Sequence, residues 1–332
     1  MYTSEPDVFE THLLIVDESG STSLEGDICE ATNDPDKAFN HAELILITFP
    51  AHMMKEIADI LYDHCNENAV IGVVPGNGGS ECAFRKLIER GNVFFLIERV
   101  PAIARIVKKG KIVRSTGYRD ELHVAALPAR NADKCAGLIR DIFDRKTKVI
   151  PGILNLTMTP SNPILHTARL RILFVDWHQG IVYDSIPLFY EEWDDASSEL
   201  LIACDEEVQR ICNALPEFDL KYVKSLRKHY ESNTAQEMTR KIRSIAAFKG
   251  IKTPAAEADG GLIPDLHSRY FIADFSFGLA IIKQIAEFAG VQTPNIDETM
   301  EWYRKIAIDN NMFHFSDYGI NNLEELREFY LM

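Results

Sequence analysis

Short apolar runs alternate with helical patterns over the first part of the chain. HLLIV (12–16), LILITF (44–49), VIGVV (70–74) and VFFLI (93–97) have the length of strands. Between them, AHMMKEIADILYDH (51–64), apolar at 53, 54, 57, 60 and 61, and SECAFRKLIE (80–89) carry the helical period. Strand, helix, strand, helix, strand predicts an α/β layer whose parallel sheet is buried on both faces. KIVRSTGYRDELHVAALP (111–128) predicts two more strands joined by a GYRD turn, followed by a helix from about residue 131 to 145.

The texture changes from residue 157. Amphipathic segments at 159–177, 195–214, 218–230, 234–246, 268–290 and 296–309 predict helices with few strands between them. In SSELLIACDEEVQRICNAL the apolar stripe at 200, 201, 204, 208, 211, 212 and 215 predicts a core face. The expected organisation is therefore α/β plus all-α, with a sheet domain over 1–150 and a helical domain over 151–332, in keeping with about 100–200 residues per domain.

Composition narrows the functional classes. The chain has 332 residues, 46% apolar and 26% charged, as in ordinary globular proteins. A net charge of −15 argues against nucleic acid as a partner, because that binding needs a basic face. The cysteines at 29, 65, 82, 135, 204 and 212 form no CxxC pair and no cluster at metal spacing, so reduced thiols and no metal are expected. With no apolar run of about 18 residues and a polar, acidic start in MYTSEPDVFETH, no membrane partner is expected and the location read is cytoplasmic.

Two stretches concentrate the chemistry. In TPSNPILHTARLRILFVDW (159–177), Asn162 and His166 lie one helical turn apart on one face. In GLIPDLHSRYFIADFSFG (261–278), Arg269 offers a cation for a carboxylate and Asp274 an anion for an imidazole. A histidine in an apolar helix is more often a satisfied core residue than a catalyst, and an Arg and Asp five apart can simply pair. FPA (49–51) and PGNGG (75–79) stand at strand ends, where open α/β sheets bind nucleotides, which makes Pro50, Ala51, Pro75 and Gly76 candidate cofactor contacts. The same residues are also ordinary turn formers. A basic cluster at Arg227, Lys228, Arg240, Lys241 and Arg243 reads as a solvated helix face.

Taken together, ATNDPDKAFNHAELILITFPAHMMKEIADIL, VVPGNGGSECAFRKL, IERVPAIARIVKKGK, TPSNPILHTARL and SRYFIADFSFGLAIIKQIAEFAGVQTPNID resemble the octopine/nopaline (opine) dehydrogenase family. The pairing of NPxxH with RYFxxD carries most of the specificity. The resemblance implies an N-terminal Rossmann-type domain, a helical second domain and a substrate cleft between them. It also implies a nicotinamide cofactor, NAD or NADP, and reductive amination of an α-keto acid by an amino acid. On this resemblance His166 is the catalytic histidine, Asp274 its acidic partner, Asn162 an orienting amide and Arg269 a substrate-carboxylate arginine. Asn77 falls in the keto-acid pocket where relatives carry a longer amide, and Val100 where a hydroxyl residue is common. The partners expected are an amino acid and an α-keto acid, with a homodimer left open.

One departure stands out. No GxGxxG opens the chain, so the Rossmann-like layer is expected to be incomplete, lacking its first strand-helix unit and the diphosphate cradle. Asp17 and Glu18 after HLLIV read as turn residues rather than ribose ligands. Two alternatives accompany the dehydrogenase reading. One is a non-catalytic family member serving as a binding or oligomerisation module. The other is a reductase of hydroxy-acid or ketopantoate type, which relies on a lysine donor that neither core motif contains.

Overall fold

The computed structural model describes residues 1–76, 78–159, 161–307 and 311–332. It divides into two compact units, Met1–Ile153 with Met332, and Leu154–Leu331.

The first unit runs β1 (His12–Val16), β2 (Thr22–Asp27), α1 (Pro35–Phe39), β3 (Leu44–Ile47), α2 (Met54–His64), β4 (Val70–Val73), α3 (Ser80–Ala83), α4 (Arg85–Arg90), β5 (Val93–Ile97), β6 (Ala102–Lys108), β7 (Ile112–Tyr118), β8 (Glu121–Leu127), α5 (Ala132–Phe143) and β9 (Lys146–Val149). Among the described residues, one sheet has the order β3-β4-β5-β8-β9. Its β3, β4 and β5 are parallel, β8 is antiparallel to β5, and β9 is parallel to β8. The all-buried β4 and the almost fully buried β5 and β8 form its centre. Val124, Ala126, Cys135 and Ile139 join β8 to α5 in the core.

Gly72 on β4 makes room for a neighbour. A Cβ there would lie 2.1 Å from Cζ of Phe95, its cross-strand partner on β5. Gly72→Ala should therefore cost about 1–3 kcal/mol or more by overpacking, read as a lowered midpoint in urea unfolding; an unchanged midpoint would show that the ring can move aside.

One expectation about this unit needs correction. HLLIV does not join the parallel sheet: β1 lies in a second sheet of order β2-β1-β7-β6. The cause is the DESGS turn, where the Asp17 carboxylate accepts from the Ser19 and Ser21 amides (2.8 and 3.0 Å) and Gly20 has φ +87°, so the chain doubles back as a hairpin into TSLEGD. The two strands of 111–128 form as expected and are joined through Arg119 and Asp120 of GYRD, but they lie in different sheets. β7 pairs with β6 and β1 while β8 enters the other sheet. Arg119 holds this crossing, its Nε donating to the Val100 carbonyl at 3.1 Å and its amide to that of Pro101 at 3.0 Å.

The second unit contains α6 (Leu154–Thr157), α7 (Ser161–Leu173), α8 (Asp195–Ala214), α9 (Leu226–His229), α10 (Ala235–Ser244), the hairpin β10 (Ala255–Ala258) and β11 (Gly261–Pro264), α11 (Arg269–Asp274), a π-helical turn (Phe275–Leu279), α12 (Ala280–Phe288), α13 (Pro294–Ile306) and α14 (Leu323–Tyr330). Helix α7 is the axis of the unit. Residues 164–170 are all buried, and α8, α11, the π turn and α13 pack around it. The expected helix over 218–230 is only two short 3₁₀ turns and the four-residue α9. The segment 268–290 is helical but interrupted by the π turn immediately after Asp274.

Candidate active site

The site is built on α7 and α11. His166, 3% exposed in the middle of α7, meets Asp274 at the end of α11, with Nδ1 2.7 Å from the carboxylate Oδ2. An ionised carboxylate only accepts, so this contact places a ring proton on Nδ1. Nε2 lies 2.7 Å from the hydroxyl of Tyr190, which donates to it when the ring is neutral and accepts from it when the ring is protonated. Tyr270, also from α11, lies parallel to the imidazole with ring centres 4.1 Å apart, and Phe189 meets the imidazole at 5.6 Å, steeply tilted to its plane.

The approach of the two helices depends on glycine. Gly278, in the π turn, packs against Pro163 in the first turn of α7, and a Cβ there would lie 2.8 Å from the Pro163 Cγ. A π turn inserts an extra residue into a helix and often accompanies a functional site. Here it follows the carboxylate that faces the imidazole.

Tyr190 lies in a turn with no helical period, yet it is held firmly. Its ring stacks on Phe248 (4.1 Å, 17°) and meets Phe189 edge-on (4.8 Å, 83°). Burial, with Tyr270, Tyr230 and Asp274 nearby, pushes its phenol far above the ordinary tyrosine range, so the hydroxyl keeps its proton. The turn is fastened from α7 by the fully buried Arg169. Arg169 Nε donates to the Phe189 carbonyl at 3.2 Å and Nη2 to the Glu192 carbonyl at 2.6 Å, while Nη1 reaches the Asp194 carboxylate at 2.6 Å and Ser197 Oγ at 3.1 Å. One helix thus presents the imidazole and, three residues on, anchors the loop that carries its hydroxyl partner.

The remaining candidates are distributed as follows. Asn162 is exposed on the first turn of α7, and both His166 nitrogens are engaged by other groups. Arg269 is exposed at the start of α11, its guanidinium 5.5 Å from the centre of the Tyr270 ring that covers the imidazole. In the first unit, Pro50 and Ala51 follow β3, while Pro75 and Gly76 follow β4, at the carboxyl ends of two neighbouring parallel strands. Gly76 lies flat on β5: its amide donates to the Ile97 carbonyl at 2.6 Å, and a Cβ would come within 2.9 Å of Leu96 Cβ. Asn77 lies outside the described residues. The basic cluster is largely spoken for, with Arg227 on Glu206, Lys241 on Glu231 and Arg243 on the Trp193 carbonyl.

Sequence reasoning passed over Tyr190, Arg169 and the stacking role of Tyr270. The available signal was PLFYEEWD (187–194), an aromatic run without period that follows an arginine embedded in an apolar helix.

The chain resembles known proteins in sequence and in fold. Residues 149–307 match the family model described as NAD/NADP octopine/nopaline dehydrogenase, alpha-helical domain. The chain is 28% identical over 294 residues to tauropine dehydrogenase of Arabella iricolor, covering 83% of this chain and 74% of that protein. It is 26% identical over 293 residues to octopine dehydrogenase of Pecten maximus, covering 82% and 71%. A solved structure of octopine dehydrogenase with NADH and L-arginine superposes with a TM-score of 0.82 at 21% identity, covering 95% of this chain and 86% of that one. A sheet unit followed by a helical unit is the fold shared with that octopine dehydrogenase structure. The helical unit thus resembles the alpha-helical domain of octopine/nopaline dehydrogenases, and the chain is similar to members of that family over more than four fifths of its length.

Proposed function

We propose that the chain is a nicotinamide-dependent opine dehydrogenase, joining the amino group of an amino acid to an α-keto acid by reductive amination and running the reverse oxidation. The observation that carries this reading is the buried contact between His166 and Asp274 within the matched helical domain. Condensing an amine with a keto acid expels the carbonyl oxygen as water, which needs a proton, and the reverse needs a base. An imidazole near neutrality does both. Asp274 fixes the ring orientation and stabilises the imidazolium, as an orienting carboxylate does behind other catalytic histidines.

The first unit fits the cofactor in part. The uncharged loop edges at Pro50, Ala51, Pro75 and Gly76 suit the nicotinamide end. A bound reduced nicotinamide would supply the hydride. Calorimetric titration of the whole chain with NADH and with NADPH tests this part: saturable binding of at least one is expected, and binding of neither would overturn it.

Arg269 is the proposed holder of a substrate carboxylate, its exposed guanidinium positioned by the Tyr270 ring. A planar fork binds a carboxylate bidentately, whereas an ammonium does not. Arg269→Lys removes one charge-assisted bond of about 1.5–3 kcal/mol, so the KM for the keto acid should rise about tenfold or more with kcat little changed. Wild-type kinetics in this variant would remove the assignment.

A further inference from the structure

The second ring nitrogen of His166 is not open. Nε2, the atom a substrate would have to reach, is occupied by the Tyr190 hydroxyl at 2.7 Å, and the imidazole is covered on one face by Tyr270. Tyr190 has little freedom to withdraw: it is 4% exposed and packed between Phe248 and Phe189, on a turn tied to the fully buried Arg169. Building on the opine dehydrogenase reading, we propose that His166 exchanges its proton with the substrate through the Tyr190 hydroxyl, so that the site is an Asp274–His166–Tyr190 relay.

The proton count closes. In the condensing direction the resting acid is the imidazolium, with Nδ1–H on Asp274 and Nε2–H on the phenol oxygen. As the C–O bond of the amine adduct breaks and its nitrogen lone pair forms the C=N bond, Tyr190 gives its O–H proton to the departing oxygen, which leaves as water. Nε2–H passes to the phenol oxygen in the same event. Tyrosine ends as it began, and the imidazole ends neutral with Nδ1–H still on Asp274. Addition of water in the oxidative direction runs the two transfers backwards. Burial makes free tyrosinate costly, which suits a group that passes a proton on without storing the charge.

Tyr190→Phe tests the relay, because it keeps the stacked ring and deletes only the hydroxyl. With NADH or NADPH, an α-keto acid and an amino acid, kcat should fall about 10²-fold while both KM values stay within about twofold, the pattern of a group acting only in the transition state. Installing 3-fluorotyrosine at position 190, a more acidic phenol, should restore turnover and shift the pH dependence of kcat to lower pH; a purely structural tyrosine would leave that profile unmoved. Nitrogen NMR of the His166 ring gives a readout free of cofactor and substrate: the Nε2 signal should move in Tyr190→Phe. Wild-type kcat in Tyr190→Phe, an unshifted pH profile with fluorotyrosine, or an unmoved Nε2 signal would each overturn the relay alone. A wild-type chain that turns over no pair of amino acid and keto acid would overturn the dehydrogenase reading and the relay with it, a failure recognised before any variant is compared.

Discussion

Replacing His166 by alanine should lower kcat about 10²–10⁴-fold, the usual worth of a positioned general acid or base. The ring is the sole link between Asp274 and Tyr190 in the relay, so neither neighbour can take over its proton. The surroundings of the ring make the same change costly to folding. Its removal leaves a carboxylate and a phenol without their shared partner in a site that is 3% exposed at the histidine. A buried polar group left unsatisfied costs about 1–3 kcal/mol. Activity should therefore be compared well below the unfolding temperature of the variant, with circular dichroism to confirm folding. A folded His166→Ala chain with wild-type turnover would remove the dyad from the chemistry.

Arg169→Met should be the most destabilising single change in the helical unit, at about 3 kcal/mol or more, because it combines a truncated core side chain with polar groups left unpaired. The Phe189 and Glu192 carbonyls and the Ser197 hydroxyl lose their donor together. The Asp194 carboxylate, half-exposed and also capping α8 through the Ser197 amide at 2.7 Å, can turn to water and contributes less. Since the same guanidinium fastens the turn that carries Tyr190, kcat should fall as well, although Arg169 is not part of the relay. Urea unfolding measures the first effect and steady-state turnover the second. A loss under about 1 kcal/mol would mean that the turn is held by its aromatic packing.

What could be read in the sequence follows from how local the determining forces are. The amphipathic stripe of 195–214 matches α8 to the residue, and NPxxH fell inside α7 because a helical period is a near-neighbour property. His166 and Asp274 were matched by chemical type and by the family resemblance, since 108 positions separate them and no spacing rule spans that distance. HLLIV was misplaced because apolar content specifies a strand but not its sheet, and the deciding information lay in the DESGS turn. The π turn after Asp274 leaves no mark on a 3.6-residue pattern. Tyr190 was missed because it lies in an irregular loop whose position is set by Arg169, a long-range contact from a buried cation that a composition scan would place at the surface.

The most direct test of the function is the co-substrate requirement for NADH or NADPH oxidation, followed by absorbance with an α-keto acid alone, an amino acid alone and both together. An opine dehydrogenase consumes the reduced nicotinamide only when both are present, and His166→Ala lowers that rate about 10²–10⁴-fold with the requirement for both kept. Full-rate oxidation with the keto acid alone would identify a hydroxy-acid reductase, and no oxidation with any pair at saturating concentrations would contradict the assignment outright.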